Sequence, residues 1–188
     1  MALIQEKEDE YYTYADYLEW DEDPLTELYD GKVVMMSPPL SRHQKVSMEL
    51  SYQIRSFLEG KPCKVFAAPF GVRLFPKKDK RDDTIFLPDI TVVCDEKKLD
   101  KNGCNGAPDL IIEIISPSSA KYDRIYKLRK YQQAGVKEYW IVDPEIKSVI
   151  VLILENGQYI TAAYDETEKI PVTVLKGCEI NLQAIFAE

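Results

Sequence analysis

The segment Pro108-Asp109-Leu110-Ile111-Ile112-Glu113-Ile114-Ile115-Ser116 decides the fold. Its aliphatic, β-branched composition predicts a strand with both faces buried, yet the carboxylate of Glu113 lies near its centre. A buried carboxylate costs several kcal/mol unless it is paired or binds a cation. Glu113 is therefore either a tolerated charge on one face of the strand or a ligand.

A second Pro-Asp step heads a similar run, Pro88-Asp89-Ile90-Thr91-Val92-Val93, which predicts another core strand. Between residues 109 and 143 the pattern changes from strand to helix and back to strand, which is the length of one crossover connection between parallel strands. The strand that contains Glu113 is therefore predicted to lie in the middle of a sheet.

The helix predicted for residues 119 to 134 carries a lysine at the level of Glu113. Glu113 lies three residues before the strand exit, which is about 10 Å, and a helix returning along the sheet covers that distance in about seven residues. Lys127 occupies that position. Asp123 and Tyr131 lie one turn to either side, so Asp123 and Lys127 have the spacing of an i,i+4 ion pair.

Metal-assisted hydrolysis of a phosphodiester requires at least two acidic side chains and a nearby lysine. This sequence places two acids on core strands and a lysine near both. Carboxylate oxygens hold Mg²⁺ or Mn²⁺, the ion lowers the pKa of an attacking water, and the ammonium orients that water or stabilises charge on the phosphate oxygens. We predict Asp89, Glu113 and Lys127 as catalytic residues, with Asp89 and Glu113 as metal ligands. The alternative is structural: Asp89 caps its strand, and Glu113 forms a salt bridge with Lys127.

Composition and charge allow a nucleic-acid partner. The 188 residues suit one domain, and a formal net charge of −8 argues against binding a polyanion. However, residues 1 to 30 contain eleven acids and one base, which leaves 21 acids and 23 bases in the remaining chain. Basic clusters at residues 77 to 81 and 121 to 130 flank the acids of interest, although such clusters are more often solvated surface.

The remaining pattern is that of a mixed α/β protein without a membrane span. It predicts a short helix at residues 13 to 20, a hairpin turning at Asp30 and Gly31, a helix at 41 to 58 and further strands between 64 and 164. Residues 79 to 84 and 95 to 106 are expected to be polar loops. An acidic N-terminus is unlike a signal peptide, so we expect a cytoplasmic protein, and four widely spaced cysteines predict reduced thiols.

These segments together resemble the Uma-two family of restriction-endonuclease-like proteins, within the PD-(D/E)XK nuclease superfamily. The resemblance covers roughly residues 13 to 185 and rests on three quoted segments. These are Glu27-Leu28-Tyr29-Asp30-Gly31 followed by Ser37-Pro38-Pro39 and His43; Asp89 and the Asp109 to Ser119 run with Asp123, Lys127 and Tyr131; and Gly135-Val136 through Asp143-Pro144.

The resemblance implies a single restriction-endonuclease-like domain at residues 13 to 188, after an acidic tail at 1 to 12. Its fold would be a central mixed sheet flanked by helices, with an N-terminal hairpin. It also implies Mg²⁺ or Mn²⁺ at Asp89 and Glu113, a DNA substrate and homodimers. Ile115 stands where the superfamily motif places lysine, and the family takes that charge from the next helix, here Lys127.

Several further residues are accessory candidates. His43 could act as a base or a phosphate contact, or cap its helix, and Glu49 could add a metal ligand or be solvated. Asp123 and Tyr131 flank Lys127. No Gly-rich phosphate loop or organic-cofactor motif is present in the sequence. Beside the DNA nuclease, two alternatives stay open: a catalytically silent nuclease fold that serves as a binding or assembly module, and hydrolysis of RNA or a small phosphodiester.

Overall fold

The computed structural model describes residues 10–20, 25–117 and 119–187, and its strands form three sheets. The predicted acidic tail at 1 to 12 therefore lies largely outside the described residues. The strands are β1 Thr26–Tyr29, β2 Lys32–Met35, β3 Lys64–Ala67, β4 Gly71–Arg73, β5 Ile85–Phe86, β6 Ile90–Val93, β7 Leu99–Asp100, β8 Gly103–Asn105, β9 Leu110–Ile114, β10 Glu138–Asp143, β11 Ser148–Glu155, β12 Gln158–Asp165, β13 Lys169–Pro171 and β14 Glu179–Asn181.

The helices are few and mostly short. They are α1 Tyr14–Tyr17, α2 Ser41–Phe57, α3 Leu128–Ala134 and α4 Leu182–Ile185, with a 3₁₀ turn at Glu96–Lys98 and a π-helical turn at Tyr122–Lys127. Within the described residues, no helix combines the length and the apolar character needed to cross a bilayer.

Two six-stranded sheets organise the molecule. The first has the order β2-β1-β5-β4-β8-β7, and the second has the order β12-β11-β10-β9-β6-β3. In the second sheet β9 pairs in parallel with β10 and antiparallel with β6, so it lies centrally as its composition predicts. The fold is a mixed α+β arrangement, in agreement with the sequence-based prediction.

The two faces of β9 bury different partners. Leu110, Ile112 and Ile114 belong to the core cluster that contains Val46 and Leu50 of α2. Ile111 and Ile115 belong to a second cluster that contains Tyr131 and Tyr139. Because side chains alternate along a strand, Glu113 lies on the second face, where the crossover helix packs.

The crossover helix differs from the continuous α-helix predicted for residues 119 to 134. Its turn at Tyr122–Lys127 is π-helical, and an α-helix follows over Leu128–Ala134. Tyr122, Asp123 and Lys127 of this turn are buried. The wider turn is a common local adjustment at functional sites. The predicted end at Gly135 is confirmed, because Gly135 is left-handed with φ of 86°.

One of the two predicted polar loops was partly wrong, whereas residues 79 to 84 contain no helix or strand. Residues 95 to 106 contain a 3₁₀ turn and the strands β7 and β8, and β8 pairs in parallel with β4. Gly103 permits this close pairing, since an added Cβ there would lie 2.0 Å from the carbonyl oxygen of Gly71. The hairpin prediction is confirmed by β1 and β2, with Asp30 and Gly31 both at positive φ in the turn.

The prediction of four reduced thiols was wrong. Cys63 and Cys94 form a disulfide with an S–S distance of 2.10 Å. Because Lys64 pairs with Val93 in the β3–β6 ladder, Cys63 and Cys94 are the next opposed residues beyond it. Sequence spacing did not reveal this partnership, which depends on which strands are neighbours. Cys104 and Cys178 are free and buried, and burial raises the pKa of each thiol to about 11.

The substitution Gly103→Ala tests the β4–β8 pairing. Gly106→Ala is the matched control, because Gly106 also has positive φ but faces open space. We expect Gly103→Ala to lower the free energy of unfolding by about 1–3 kcal/mol more than Gly106→Ala, the cost of forcing a methyl group into packed backbone. Urea unfolding measures both. Equal losses would show that φ strain alone matters.

Candidate functional site

Asp89 and Glu113 lie opposite each other at one end of the second sheet. In the β6–β9 ladder Ile90 pairs with Ile112, and continuing this register by one residue sets Asp89 against Glu113. Asp89 Oδ2 also accepts a hydrogen bond of 2.7 Å from the backbone N–H of Ile114. The structure therefore brings the two predicted acids to the same end of the second sheet.

Lys127 lies at the centre of the site and is completely buried. Its Nζ donates to Glu113 Oε1 at 2.9 Å and to Glu27 Oε1 at 2.8 Å, and it lies 3.7 Å from Asp123 Oδ1. The predicted level of Lys127 beside Glu113 agrees with this geometry. Asp123 and Lys127, four residues apart, remain neighbours although the turn that contains them is π-helical.

Glu27 is the residue of this site that sequence reasoning missed. It is completely buried on β1. Its Oε1 accepts 2.7 Å from the backbone N–H of Leu87 in addition to Lys127, while its Oε2 is buried without a hydrogen-bond partner among the described residues. The available signal was the same as for Glu113: a charged side chain inside a predicted strand.

Two tyrosines fix the acids from the helix and from β10. The Tyr131 hydroxyl donates to Glu113 Oε1 at 2.7 Å, and the Tyr139 hydroxyl donates to the backbone carbonyl of Asp123 at 3.2 Å. Tyr131 packs edge-on against Phe86, with ring centroids 5.5 Å apart. These contacts hold Glu113 and the π-helical turn in a single arrangement.

His43 joins the site from the first turn of α2, and Glu49 does not. His43 Nε2 lies 3.1 Å from Asp89 Oδ2, and its Nδ1 is buried without a partner in the described chain. Burial alone would lower the pKa of His43, but the hydrogen bond and charge of Asp89 outweigh it and raise that pKa. Glu49 accepts a hydrogen bond from Gln53, and among described residues no contact links it to Asp89 or Glu113.

We call Glu27, Glu113 and Asp123, which surround Lys127, together with the neighbouring Asp89, the acidic cluster. Its four carboxyl groups outnumber the two cationic side chains that contact them, Lys127 and His43. Burial raises the pKa of Glu113 well above its usual range, with Asp123 and Asp89 adding to the effect. Burial also raises the pKa of Asp123 to about 6. These carboxylates therefore hold protons more tightly than exposed ones.

The ammonium of Lys127 shows the complementary effect. Burial by itself favours the neutral amine, but the attraction of Glu113, Glu27 and Asp123 raises the pKa of Lys127 well above its usual range. Lys127 is therefore charged at neutral pH. It acts as a fixed cation and a hydrogen-bond donor, and it is not a base.

The donor set fits a hard divalent cation held by two protein oxygens. Asp89 uses Oδ2 and Glu113 uses Oε1 for the hydrogen bonds above, so Asp89 Oδ1 and Glu113 Oε2 accept none from the described chain. Mg²⁺ is commonly held by one or two carboxylates and keeps several waters. Within the described ranges, no three His, Cys, Asp or Glu side chains converge as a metal cage.

Comparison with solved structures identifies the class of fold. A crystal structure from Anabaena variabilis ATCC 29413, described as "a putative nuclease belonging to DUF820", matches with a TM-score of 0.76. The match covers 94% of this chain and 98% of that chain at 22% identity. At that identity the likeness establishes the shared mixed α+β fold.

Comparison of sequences identifies the family. The Uma2 family model, described as "Putative restriction endonuclease", matches residues 14–183, so the chain belongs to the Uma2 family. Two Synechocystis proteins are similar, both described as uncharacterized: slr1290 at 23% identity over 82% of this chain and 81% of its own length, and sll1609 at 24% over 70% and 74%. The family resemblance predicted from the motifs is confirmed.

Asp123→Asn should change the pH dependence of stability in metal-free buffer with EDTA. The folded-state pKa of Asp123 is raised to about 6 from about 3.9 in an unfolded chain. The wild type therefore loses stability as the pH rises between these values. Relative to wild type, Asp123→Asn should gain on the order of 1–3 kcal/mol across this window, measured by urea unfolding at a series of pH values.

Asp82→Asn is the control for this pH series. Burial alone would raise the pKa of Asp82, but its hydrogen bonds with Arg73 and the Lys77 N–H lower it. The stability that ionised Asp82 contributes is lost only as the pH falls through that lowered pKa. The difference in the free energy of unfolding between wild type and Asp82→Asn should therefore be constant between roughly pH 5 and 8. A constant difference for Asp123→Asn as well would contradict the electrostatic description of the cluster.

Proposed function

We propose that this protein is a metal-dependent nuclease that hydrolyses DNA phosphodiester bonds at the acidic cluster. The observation that carries the proposal is the excess of buried carboxylates over cations around Lys127. Such a site is electrostatically unfavourable without a further positive charge. A divalent cation at Asp89 and Glu113 would supply it.

Asp89 and Glu113 are the proposed ligands of Mg²⁺ or Mn²⁺. When bound, such an ion lowers the pKa of an attacking water and neutralises charge on the phosphate. The carboxylates contribute their free oxygens, and their other oxygens are fixed by Ile114, Tyr131 and Lys127. This preorganisation keeps both ligands in place before the substrate binds.

Lys127 is proposed to stabilise the negative charge that grows on the phosphate oxygens. Its position is fixed by Glu27 and Asp123, which leaves little freedom in its long side chain. Ile115, at the motif position that usually holds lysine, is buried among apolar residues. A lysine at position 115 would point into the apolar core. For this reason the positive charge comes from Lys127 on the helix.

His43 is proposed to hold Asp89 and to contact the phosphate. The raised pKa of His43 favours the charged imidazolium, which can attract a phosphate oxygen. Further cations lie on the same helix as Lys127: Arg124 pairs with Asp143 at 3.1 Å, and Lys130 pairs with Asp30. These residues are the proposed contacts to the DNA backbone, in keeping with the description of the family as "Putative restriction endonuclease" and of the Anabaena protein as "a putative nuclease".

A catalytically silent binding or assembly module is the second candidate. It is favoured by the direct contacts that Lys127 makes with two glutamates, because an internal ammonium already offsets part of the charge. In this case Lys127 would serve the fold, and Asp89 and Glu113 would bind no ion. The assay below separates the two candidates.

The first test measures nicking of plasmid DNA, and cleavage of single strands, with Mg²⁺ or Mn²⁺. We expect Glu113→Gln and Asp89→Asn to lower the rate by at least about 100-fold, because each removes a preorganised charge at the reacting phosphate. Glu49→Gln is the matched control, since Glu49 lies on α2 away from the cluster, and circular dichroism verifies folding. Activity that survives in Glu113→Gln, or no activity in the wild type, would contradict the proposal.

We also propose that the protein forms a homodimer through β12. This strand pairs only with β11 among the described residues, so its other edge is open over eight residues. Antiparallel self-pairing about an axis between Thr161 and Ala162 would set Tyr159 against Tyr164 and Gln158 against Asp165, so no like charges meet. Such an open edge, without lysine or proline, is a template for another strand.

Ile160→Lys should give a monomer, because a lysine on the paired edge would disfavour strand addition. Ile160 is 55% exposed and Ile146, in the turn before β11, is 69% exposed, so Ile146→Lys is the matched control. Sedimentation velocity measures the oligomeric state of each. A monomeric wild type, or a dimeric Ile160→Lys, would exclude this interface.

A further inference from the structure

A cavity lies between α1 and the first sheet, apart from the acidic cluster. Its volume is about 330 Å³, within the range of small-molecule sites. Ile85 and Leu87 contribute to its lining, whereas Phe86 between them packs against Tyr131 of the acidic site. Because successive strand residues face opposite ways, the cavity and the acidic cluster lie on opposite faces of β5. They approach each other at Leu87, just beyond the end of that strand, where the Leu87 N–H donates to Glu27.

The charges around the cavity disfavour a phosphate group. Its cationic lining residue, Arg73, donates through Nε and Nη2 to Asp82 at 2.7 and 2.6 Å, and through Nη1 to Asn105 at 2.8 Å. The guanidinium also stacks 3.8 Å from the ring centre of Tyr14. With Arg73 neutralised and Asp100 also in the lining, the cavity offers no unpaired positive charge. The lining therefore disfavours an anionic ligand.

The polar lining is rich in acceptors. Asp100 Oδ1 accepts 2.7 Å from the backbone N–H of Asn102, and Oδ2 accepts 2.7 Å from Asn105 Nδ2. The backbone N–H of Gly103 also donates to this carboxylate, which leaves it about one free lone pair. Asn102 Nδ2 donates to the Tyr14 hydroxyl at 3.2 Å, and its side-chain oxygen accepts no bond from the described chain. These groups suit a ligand that presents N–H donors.

The remaining walls are flat and apolar. Tyr14, Tyr17 and Leu87 line the cavity together with Pro69. The rings of Tyr14 and Tyr17 are inclined by only 23° to each other. A planar ring with edge N–H groups matches walls of this kind, because aromatic and aliphatic surfaces cover its faces while polar groups meet its edge.

The cavity shares two chain segments with the acidic cluster. Leu87 precedes Asp89 by two residues, at most about 7 Å along extended chain, and its N–H donates to Glu27. Pro69 follows Ala68, whose N–H donates 3.0 Å to the carbonyl oxygen of Asp89. A nucleotide whose phosphate lies at Asp89 can therefore direct its base toward Leu87 and Pro69.

We propose that this cavity binds an unstacked nucleobase with an exocyclic amino group, beside the phosphodiester at the acidic cluster. This proposal rests on the proposed nuclease function, because the base would belong to the DNA that is cleaved. Adenine, cytosine and guanine carry such an amino group and thymine does not. The acceptors of Asp100 and Asn102 therefore favour the first three bases over thymine. Taking a base out of its stack has an energetic cost that a fitted pocket offsets.

The first experiment is titration of the whole protein with uncharged nucleosides, followed by saturation-transfer NMR. Deoxyadenosine or deoxycytidine should bind more tightly than thymidine. Leu18→Trp should weaken binding at least tenfold, because Leu18 lines the cavity and is 41% exposed, so a larger ring fills the space without entering the core. Lys101→Ala, a neighbouring exposed change, should bind as wild type does.

The outcome does not depend on catalysis. Glu113→Gln should bind nucleosides as wild type does, so loss of cleavage and loss of base binding are distinguishable. With cleavable DNA, removal of one base next to the cut site should lower kcat/KM in wild type and have no effect in Leu18→Trp. Absence of nucleoside binding, or equal binding by wild type and Leu18→Trp, would overturn the proposal.

Discussion

The buried ammonium of Lys127 is the interaction on which this architecture depends. It joins three segments that are distant in sequence: strand β1 through Glu27, strand β9 through Glu113 and the π-helical turn through Asp123. Removal of one partner from such a buried group leaves an uncompensated charge and typically costs about 3–5 kcal/mol. Lys127 therefore determines how the first sheet, the second sheet and the crossover helix meet.

The same interaction leaves the site short of positive charge. One lysine faces three buried carboxylates, and Asp89 with its His43 partner lies at the rim. The raised pKa values of Glu113 and Asp123 are the direct consequence, because burial penalises charges that nothing nearby balances. Sites with such shifts are where function concentrates. This imbalance is the physical basis of the proposal that Asp89 and Glu113 bind a divalent cation.

The central part of this site could be predicted from the sequence, because short-range geometry determines it. Alternation along β9 fixes the face of Glu113, and the rise of strand and helix brings Lys127 to its level, even though part of that helix proved to be π-helical. Glu27 was missed because its role depends on how the hairpin packs on the second sheet, which no local pattern encodes. The resemblance to the Uma-two family implied the fold, and it supported the prediction, already made from the residues, that Asp89 and Glu113 bind a metal ion.

Most features that the sequence did not reveal are long-range, and the π-helical turn at Tyr122–Lys127 is a local exception. The Cys63–Cys94 disulfide requires β3 beside β6, and the β8 strand exists because Gly103 lies against Gly71. Both regions are polar or short, so their hydrophobic patterns are weak, and pairing with a distant strand decides their conformation.

Anomalous diffraction from crystals soaked with manganese tests the central claim most directly. The account predicts one strong peak bound by oxygens of both Asp89 and Glu113, with Lys127 still in contact with Glu27, and no such peak in Glu113→Gln. A wild-type site that stays empty at millimolar manganese, or an ion bound elsewhere on the chain, would contradict it.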